Sequence, residues 1–195
     1  MTMIGAMAKI IEQTNNDDLV IMARTDADAL GRLYDLYYEQ VFRFCLCRLF
    51  RREAAEDVTS TVFLNVACRI RHFTGRTEQD FRNWLYRIAA NHANSYIRKK
   101  SRRKQLLAQA VLSMRFSDGD CTDEPTWPML YQAILKLKPK HQTIITLRFF
   151  ENLEFEQIGK IINAREATVR VTLHRILKEL RSHLQTIADG GARNV

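Results

Sequence analysis

Apolar residues recur every three or four positions along most of this chain, and that spacing is the period of an amphipathic α-helix. Such patterns run from Ala27 to Phe50, from Glu53 to Arg71 and from about Asp80 to Lys100. Thr25 or Asp26 can cap the first of these helices. The segment from His72 to Gln79 breaks the pattern with a glycine, so it predicts a surface loop.

The periodicity fades after Ser101 and returns at Pro128. Between them, the sequence SDGDCTDEPTWP is polar, acidic and proline-containing, which is typical of a flexible linker. We therefore predict an all-α protein made of two small helical domains. The domains are expected at 1–104 and 128–187, joined by a flexible linker at 105–127 and followed by a disordered tail at 188–195.

Two helical patterns separated by Asn163 end the second domain. The second pattern has an apolar stripe, which consists of Val169, Leu173, Ile176, Leu177 and Leu180. A helical wheel places on the opposite face Ala167, Val171, His174, Arg175 and Lys178, with Arg170 at its edge. A short helix, a turn and a longer basic helix are typical of a helix-turn-helix, whose second helix enters the DNA major groove. If these two helices are considered alone, the alternative to a helix-turn-helix is an ordinary helical hairpin with a solvated charged face.

Charge is segregated along the chain, which carries a formal net charge of +8. The sequence RKKSRRK, at 98–104, is almost entirely basic, whereas DGDCTDE, at 118–124, is acidic. A basic surface followed by an acidic tether indicates a polyanionic partner such as nucleic acid.

The helix that precedes this basic cluster interleaves aromatic and cationic residues. The aromatic residues are Phe81, Trp84, Tyr86 and Tyr96, the cations are Arg82, Arg87, Arg98, Lys99 and Lys100, and the amides are Asn91 and Asn94. Aromatic rings can stack on unpaired bases while cations hold the adjacent phosphates. For Phe81, Trp84, Leu85 and Ile88, a role as the helix core is the favoured interpretation.

Several functional classes are disfavoured. No apolar run is long enough to span a bilayer and no signal peptide is evident, so a cytoplasmic location is expected. Cys45, Cys47, Cys68 and Cys121 fit neither a disulfide framework nor zinc spacing, so no metal or other cofactor is expected. Five scattered histidines without a supporting motif argue against an enzyme.

Five segments together resemble the extracytoplasmic-function (group IV) sigma factors of the sigma-70 family, over about Asp17 to Leu184. They are LYDLYYEQVFRF (33–44), AEDVTSTVFLNV (55–66), FRNWLYRIAANHANSYIRKK (81–100), LKPKHQTIITLRFFENLEFEQIGKII (137–162) and ATVRVTLHRILKEL (167–180). The resemblance implies a factor that binds core RNA polymerase, recognises the −35 and −10 promoter elements and helps to melt DNA. An anti-sigma factor is a further implied partner.

The resemblance also implies residue roles. Glu56, Asp57 and Phe63 match the surface that grips the polymerase clamp. Arg76 in the loop, together with Asn91, matches the part that captures a flipped −10 base, and Arg98, Lys99 and Lys100 are expected to hold nearby phosphates. The residues that match the −35 reader are Arg165, Arg170, Val171, His174 and Arg175, with Arg148 placed for a backbone phosphate.

Some positions depart from the family pattern. Ser60 and Thr61 replace a glutamine and an acidic residue, and Thr172 replaces a frequent arginine. Glu154 stands where a serine or threonine usually caps the first helix of the helix-turn-helix, although an acidic group suits that helix end. These departures suggest a divergent subgroup.

A stand-alone helix-turn-helix repressor or activator is the alternative function. Such regulators are usually dimers with paired half-sites, and the sequence offers no obvious dimer helix. That hypothesis also leaves the basic cluster at 98–104 and the helix around Asp57 unexplained.

Overall fold

All regular structure in the computed structural model, which describes residues 16–110 and 128–191, is helical. The first part contains α1 (16–22), α2 (Ala27–Leu49), α3 (Arg52–Arg69), a 3₁₀ turn (Ile70–His72) and α4 (Glu78–Ala110). The second contains α5 (Pro128–Lys136), α6 (Pro139–Ile145), a π-helical turn (Thr146–Phe150), α7 (Phe155–Ile162) and α8 (Glu166–Gly191). No strand occurs in these ranges, which confirms the all-α prediction.

Two helices are longer than expected. α4 runs to Ala110, because no glycine or proline interrupts it and its last turns contain strong helix formers such as Lys, Arg, Leu and Ala. α8 continues to Gly191, past residue 188, where disorder was expected. The rest of the expected linker, with Cys121, lies at 111–127, outside the described residues. By their contacts the described residues form two compact units. The first runs to His92, within α4, and also includes 160–163 at the end of α7, and the second comprises the remaining described residues.

The core of the first unit lies between α2, α3 and α4. Its fully or nearly fully buried members are Leu33, Tyr37, Val41 and Phe44 on α2, Val58, Val62 and Val66 on α3, and Phe81, Leu85 and Tyr86 on α4. On α2 and α3 these residues recur at intervals of three or four, and on α4 Leu85 and Tyr86 follow Phe81 by four and five positions, so each helix buries one stripe. The ring of Phe44 meets that of Tyr86 edge-on, with centroids 5.5 Å apart.

A charge is buried beside this core. Arg48, in the last turn of α2, is 1% exposed, and burial lowers the pKa of its guanidinium to about 10. It therefore stays charged at neutral pH. A cation at this end of a helix is favoured by the helix dipole.

Predicted helix caps are found where the sequence places them. Asp26 is the N-cap of α2, and its carboxylate accepts a hydrogen bond of 2.9 Å from the Asp28 N–H. Asn163 has a φ of 54° and ends α7, as its tolerance of the left-handed conformation suggested. Both caps rest on local chemistry, which is why the sequence was enough to find them.

The second unit is built on the buried stripe of α8. Val169, Leu173 and Ile176 are buried, as predicted, whereas Leu177 is 43% exposed and Leu180 is partly exposed. Leu177 lies about 80° around the helix from Val169 and so sits at the edge of the stripe. The other buried apolar residues of this unit include Ile144, Ile145, Leu147, Leu153 and Ile158.

The turn between α7 and α8 depends on a close backbone approach. The Ala164 N–H donates to the Gly159 carbonyl at 2.9 Å, and a Cβ on Gly159 would lie only 2.6 Å from the Ala164 carbonyl oxygen. Glycine is therefore required at 159 for the turn to close in this form.

We expect Gly159→Ala to destabilise the second unit by about 1–3 kcal/mol, because the added methyl group meets backbone that cannot move aside cheaply. Hydrogen exchange at the amides of α7 and α8 measures the effect. Gly31→Ala is the matched control, since Gly31 lies in α2 with nothing within 4 Å of an added Cβ. That substitution should stabilise the protein by roughly 1 kcal/mol. Unchanged protection in Gly159→Ala would contradict the close-packing argument.

Candidate nucleic-acid and protein interfaces

A reciprocal pair of hydrogen bonds holds the end of the loop before α4. The Asp80 N–H donates to the Thr77 hydroxyl at 3.1 Å, and the Asp80 carboxylate accepts from the Thr77 N–H at 3.3 Å and the Arg76 N–H at 3.2 Å. This is the capping-box arrangement. Burial alone raises the pKa of Asp80, but the hydrogen bonds from Thr77 and from the two backbone N–H groups outweigh it and lower the pKa.

The middle of the loop is fixed by ring packing. The Phe73 ring stacks on Trp84 with centroids 4.8 Å apart and meets Phe81 edge-on at 6.1 Å. The Gly75 backbone passes very close to Asp80 and Phe73. A Cβ at position 75 would lie 2.6 Å from the Asp80 Cβ and would also overlap the Phe73 ring. A residue with any side chain at position 75 would push the loop away from α4.

The end of α3, the loop and α4 line a concave pocket. Its walls include Arg69, His72, Phe73, Thr74, Gly75, Asp80, Asn83, Trp84 and Arg87. Asn83 is only 6% exposed, and its Oδ1 accepts a hydrogen bond of 3.0 Å from Gln79. Aromatic walls, an amide and cations in one concavity are the groups that bind an unstacked nucleobase and its phosphates.

The five predicted −10 residues are all exposed. Arg76 is exposed in the loop, Asn91 is exposed on α4, and Arg98, Lys99 and Lys100 are exposed further along that helix. Tyr86 is fully buried and cannot stack on a base, while the predicted core role is confirmed for Phe81, Leu85 and Ile88. Trp84 is partly exposed.

Asn83 is a pocket residue that the sequence argument missed. Asn83, Arg87 and Asn91 are spaced four residues apart, so they lie along one face of α4. That spacing is visible in the sequence. Only the position of the loop, however, shows that Asn83 and Arg87 line a cavity.

The exposed face of α8 matches the prediction. Val171 is 52% exposed, and Arg165, His174, Arg175 and Lys178 are exposed. Arg170 is exposed but engaged: its guanidinium bonds to the Glu166 carboxylate at 2.6 and 3.0 Å and lies 4.5 Å from the Phe155 ring centroid. The side chain is thus held in one orientation at the edge of this face.

Arg148 has a structural role that the sequence argument did not foresee. Its Nη1 donates to the Leu153 carbonyl at 2.9 Å and lies 3.5 Å from the Glu154 carboxylate, and its guanidinium is 4.7 Å from the Phe155 centroid. The Glu154 N–H is in turn capped by Gln157 at 2.8 Å. Arg148 therefore anchors the start of α7, and about a third of its side chain remains exposed.

On α3, the predicted polymerase-binding residues differ in exposure. Asp57 is exposed, and Glu56 forms an ion pair of 2.9 Å with Arg52. Phe63 is only 8% exposed, because its ring packs against Tyr34 with centroids 4.7 Å apart. The adjacent Leu64, which the sequence argument did not single out, is 65% exposed.

Two negative findings concern the described residues. None of their helices is both long and apolar enough to cross a bilayer. Nor do they contain a group of three or more His, Cys, Asp or Glu side chains that could hold a metal ion.

Comparison with protein families gives two matches in order along the chain. The family model "Sigma-70 region 2" matches residues 33–103, and the model "Sigma-70, region 4" matches residues 128–180. The first match contains α3, the loop and the residues of α4 that line the pocket. The second contains α7 and the exposed face of α8.

Individual relatives agree with these matches. The chain is 29% identical over 174 residues to the ECF RNA polymerase sigma factor SigW of Bacillus subtilis, covering 83% of this chain and 92% of that one. It is 29% identical over 159 residues to the ECF RNA polymerase sigma factor BldN of Streptomyces coelicolor, covering 80% of this chain and 60% of that one. Its fold resembles that of the sigma factor RpoE of Bartonella quintana, solved in complex with the anti-sigma factor NepR. The TM-score is 0.60 at 16% identity, over 80% of this chain and 96% of that chain.

We expect Gly75→Ala to displace the loop and destabilise the first unit by about 1–3 kcal/mol, since its methyl group overlaps the Phe73 ring. Phe73 should then leave Trp84, which changes the Trp84 fluorescence; Trp127→Phe removes the other tryptophan. Arg76→Ala is the control, because its side chain is exposed and only its backbone N–H holds the loop. An unchanged spectrum in Gly75→Ala would count against the packing described.

Proposed function

We propose that three surfaces of this chain, which belongs to the extracytoplasmic-function sigma factors of the sigma-70 family, have separate binding roles. The protein is a promoter-recognition subunit of RNA polymerase. The observation that carries the assignment of surfaces is that the two family matches coincide with two different nucleic-acid-type sites. One is a concave aromatic and polar pocket, and the other is a convex basic helix face.

The pocket of the first unit is assigned to the −10 element. A base must leave the duplex to be read on its pairing edge, and extrusion costs a few kcal/mol, so a pocket has to stabilise the extruded base. Asn83 and Asn91 offer amide donors and acceptors, and Trp84 offers a ring face. The exposed cations Arg98, Lys99 and Lys100 supply favourable energy by binding the adjacent phosphates.

The exposed face of α8 is assigned to the −35 element. Arg165 lies at the N-terminal end of the helix, and Val171, His174 and Arg175 follow along one face. A helix of this kind fits the major groove, where an arginine pairs with guanine and an apolar group touches the thymine methyl. Arg170 is held against Glu166 and has to leave that partner to reach a base. Arg148 contacts a phosphate only with the part of its side chain that remains exposed.

The exposed face of α3 is assigned to the clamp of core polymerase. Asp57, Thr61 and Leu64 lie at intervals of four and three residues, so they share one face of the helix. Leu64 supplies the apolar group that protein interfaces bury at their centre, and Asp57 and Glu56 supply charge around it. Phe63 acts from beneath, where it packs under Tyr34 and supports the surface.

Other features of the family are part of the proposal. An anti-sigma factor is an expected regulator, supported by the fold shared with a sigma factor that was solved in such a complex. The site of action is the bacterial cytoplasm, where the polymerase works. The polymerase carries out nucleotide chemistry, and this subunit has no catalytic role of its own.

The stand-alone repressor or activator differs from the sigma factor in one decisive property, which is dependence on core polymerase. We expect the purified chain to give specific run-off transcripts only when core enzyme is added, using a library of promoter fragments as templates. Specific, high-affinity duplex binding by the free chain as a dimer, without any core-dependent transcript, would favour the repressor.

For core binding, we expect Asp57→Arg and Leu64→Glu each to weaken association with core polymerase by about tenfold or more, because both place an unmatched charge in the interface. Affinity is measured by competition for fluorescently labelled core. Glu39→Arg, an exposed reversal on α2, is the control and should bind normally. Wild-type binding by both α3 variants would move the interface elsewhere.

For −35 reading, we expect Arg175→Ala to relax preference at one base pair, with a loss of about 1–3 kcal/mol in discrimination. Lys178→Ala, on the same face, should instead weaken binding to all DNA sequences alike. It should also reduce the slope of log affinity against log salt concentration by about one. Binding-site selection and salt titration of the holoenzyme separate the two effects. An identical sequence logo for wild type and Arg175→Ala would remove Arg175 from base readout.

For −10 opening, we expect Asn91→Ala to reduce permanganate reactivity of −10 thymines while leaving closed-complex binding nearly normal. The reason is that the amide acts only on the extruded base. Arg76→Ala should act in the same direction. Ser95→Ala, further along α4, is the control. Full opening by both the Asn91 and Arg76 variants would place the base pocket elsewhere.

A further inference from the structure

The segment before α2 reaches the loop before α4. The Arg24 Nη2 donates a hydrogen bond to the Gly75 carbonyl, and its guanidinium carbon lies 6.0 Å from the Phe73 ring centroid. The Asp17 carboxylate accepts a hydrogen bond from the Glu78 N–H. These residues are 51 and 61 positions apart in the sequence, so the contacts are tertiary and not local.

The two contacts add to the ring packing of Phe73 and the capping box, which hold the loop through its own residues and α4. The capping box of Thr77 and Asp80 fixes only the last residues before the helix. Arg24 holds the backbone at Gly75, in the middle of the loop. Asp17 satisfies the N–H of Glu78, one of the first amides of α4, which have no partner within the helix.

A third contact fixes the same point from another side. The Tyr37 hydroxyl donates to the Glu78 carboxylate at 2.7 Å, and burial together with this hydrogen bond raises the pKa of Tyr37, so the hydroxyl keeps its proton. Glu78 is thus held by α1 and α2 at once. The start of α4 is a fixed support from which the loop extends towards Phe73 and the pocket.

A binding loop that is already in its bound shape loses less conformational freedom when it captures its ligand. We propose that Arg24 and Asp17 are positioning residues that hold the loop at 73–77 in the shape that captures a −10 base. The inference rests on the proposed function of that loop. It extends the promoter-opening machinery to residues that precede the region 2 match, which begins at residue 33.

The test uses two pairs of variants in reconstituted holoenzyme. Arg24→Met keeps the length of the side chain without a donor, and Arg24→Lys restores one donor. Asp17→Ala removes the acceptor, and Asp17→Asn restores an acceptor oxygen. Arg43→Met, an exposed cation on α2, is the matched control.

Two DNA probes report on the two binding events. One is the single-stranded non-template −10 strand of the library promoter that gives the strongest run-off signal, and the other is its −35 duplex. We expect Arg24→Met and Asp17→Ala to lower affinity for the single strand, and permanganate reactivity on the intact promoter, by about three- to tenfold. The Lys and Asn variants should recover most of the loss, and affinity for core and for the −35 duplex should not change.

Each other result has a distinct meaning. If Arg24→Met and Asp17→Ala open the promoter normally while Asn91→Ala and Arg76→Ala do not, the positioning role is wrong and the proposed role of the loop stands. If the Asn91 and Arg76 variants also open it normally, the proposed role of the loop is wrong. If Arg24→Met lowers core, −35 and single-strand binding in parallel, it destabilises the fold in general and the positioning role is overturned.

Discussion

The organisation of the first unit depends on the N-terminus of α4, where backbone N–H groups have no partner inside the helix and must find one outside it. The Glu78 N–H bonds to the Asp17 carboxylate, and the Asp80 N–H bonds to the Thr77 hydroxyl. Because these N–H groups need hydrogen-bond acceptors, α1, the loop and the start of α4 lie close together. The pocket exists because that point is fixed while the polar groups of α4 beyond it remain accessible.

The helices of the second family match depend on a backbone constraint, at the turn between α7 and α8. That turn closes because Gly159 carries no side chain and Asn163 accepts a left-handed backbone. Once the turn is closed and the stripe of Val169, Leu173 and Ile176 is buried, the opposite face of α8 must point to solvent. The exposed basic face, which we propose reads DNA, is therefore a geometric consequence of the core, since a helix that buries one stripe exposes the other.

Two arginines of the second unit make contacts that stabilise the fold. Arg148 and Arg170 both lie against the Phe155 ring, at 4.7 and 4.5 Å, and each also has a carboxylate nearby. Exposed ion pairs of this kind contribute little stability, typically below about 1 kcal/mol, so they are easily broken. The arrangement keeps two flexible side chains ordered without making their release costly.

The sequence by itself determined the helices, a cap at Thr25 or Asp26, the turn at Asn163, the exposed face of α8 and the family, because these depend on local spacing and on residues a few positions apart. Periodicity placed Leu177 in a buried stripe and the family resemblance placed Phe63 on a binding surface, because neither shows what packs over a side chain. Neither the pocket around Asn83 nor the contacts from Asp17 and Arg24 could be read in advance. They join residues dozens of positions apart, and only the packing of α1, α2 and α4 decides that those residues meet.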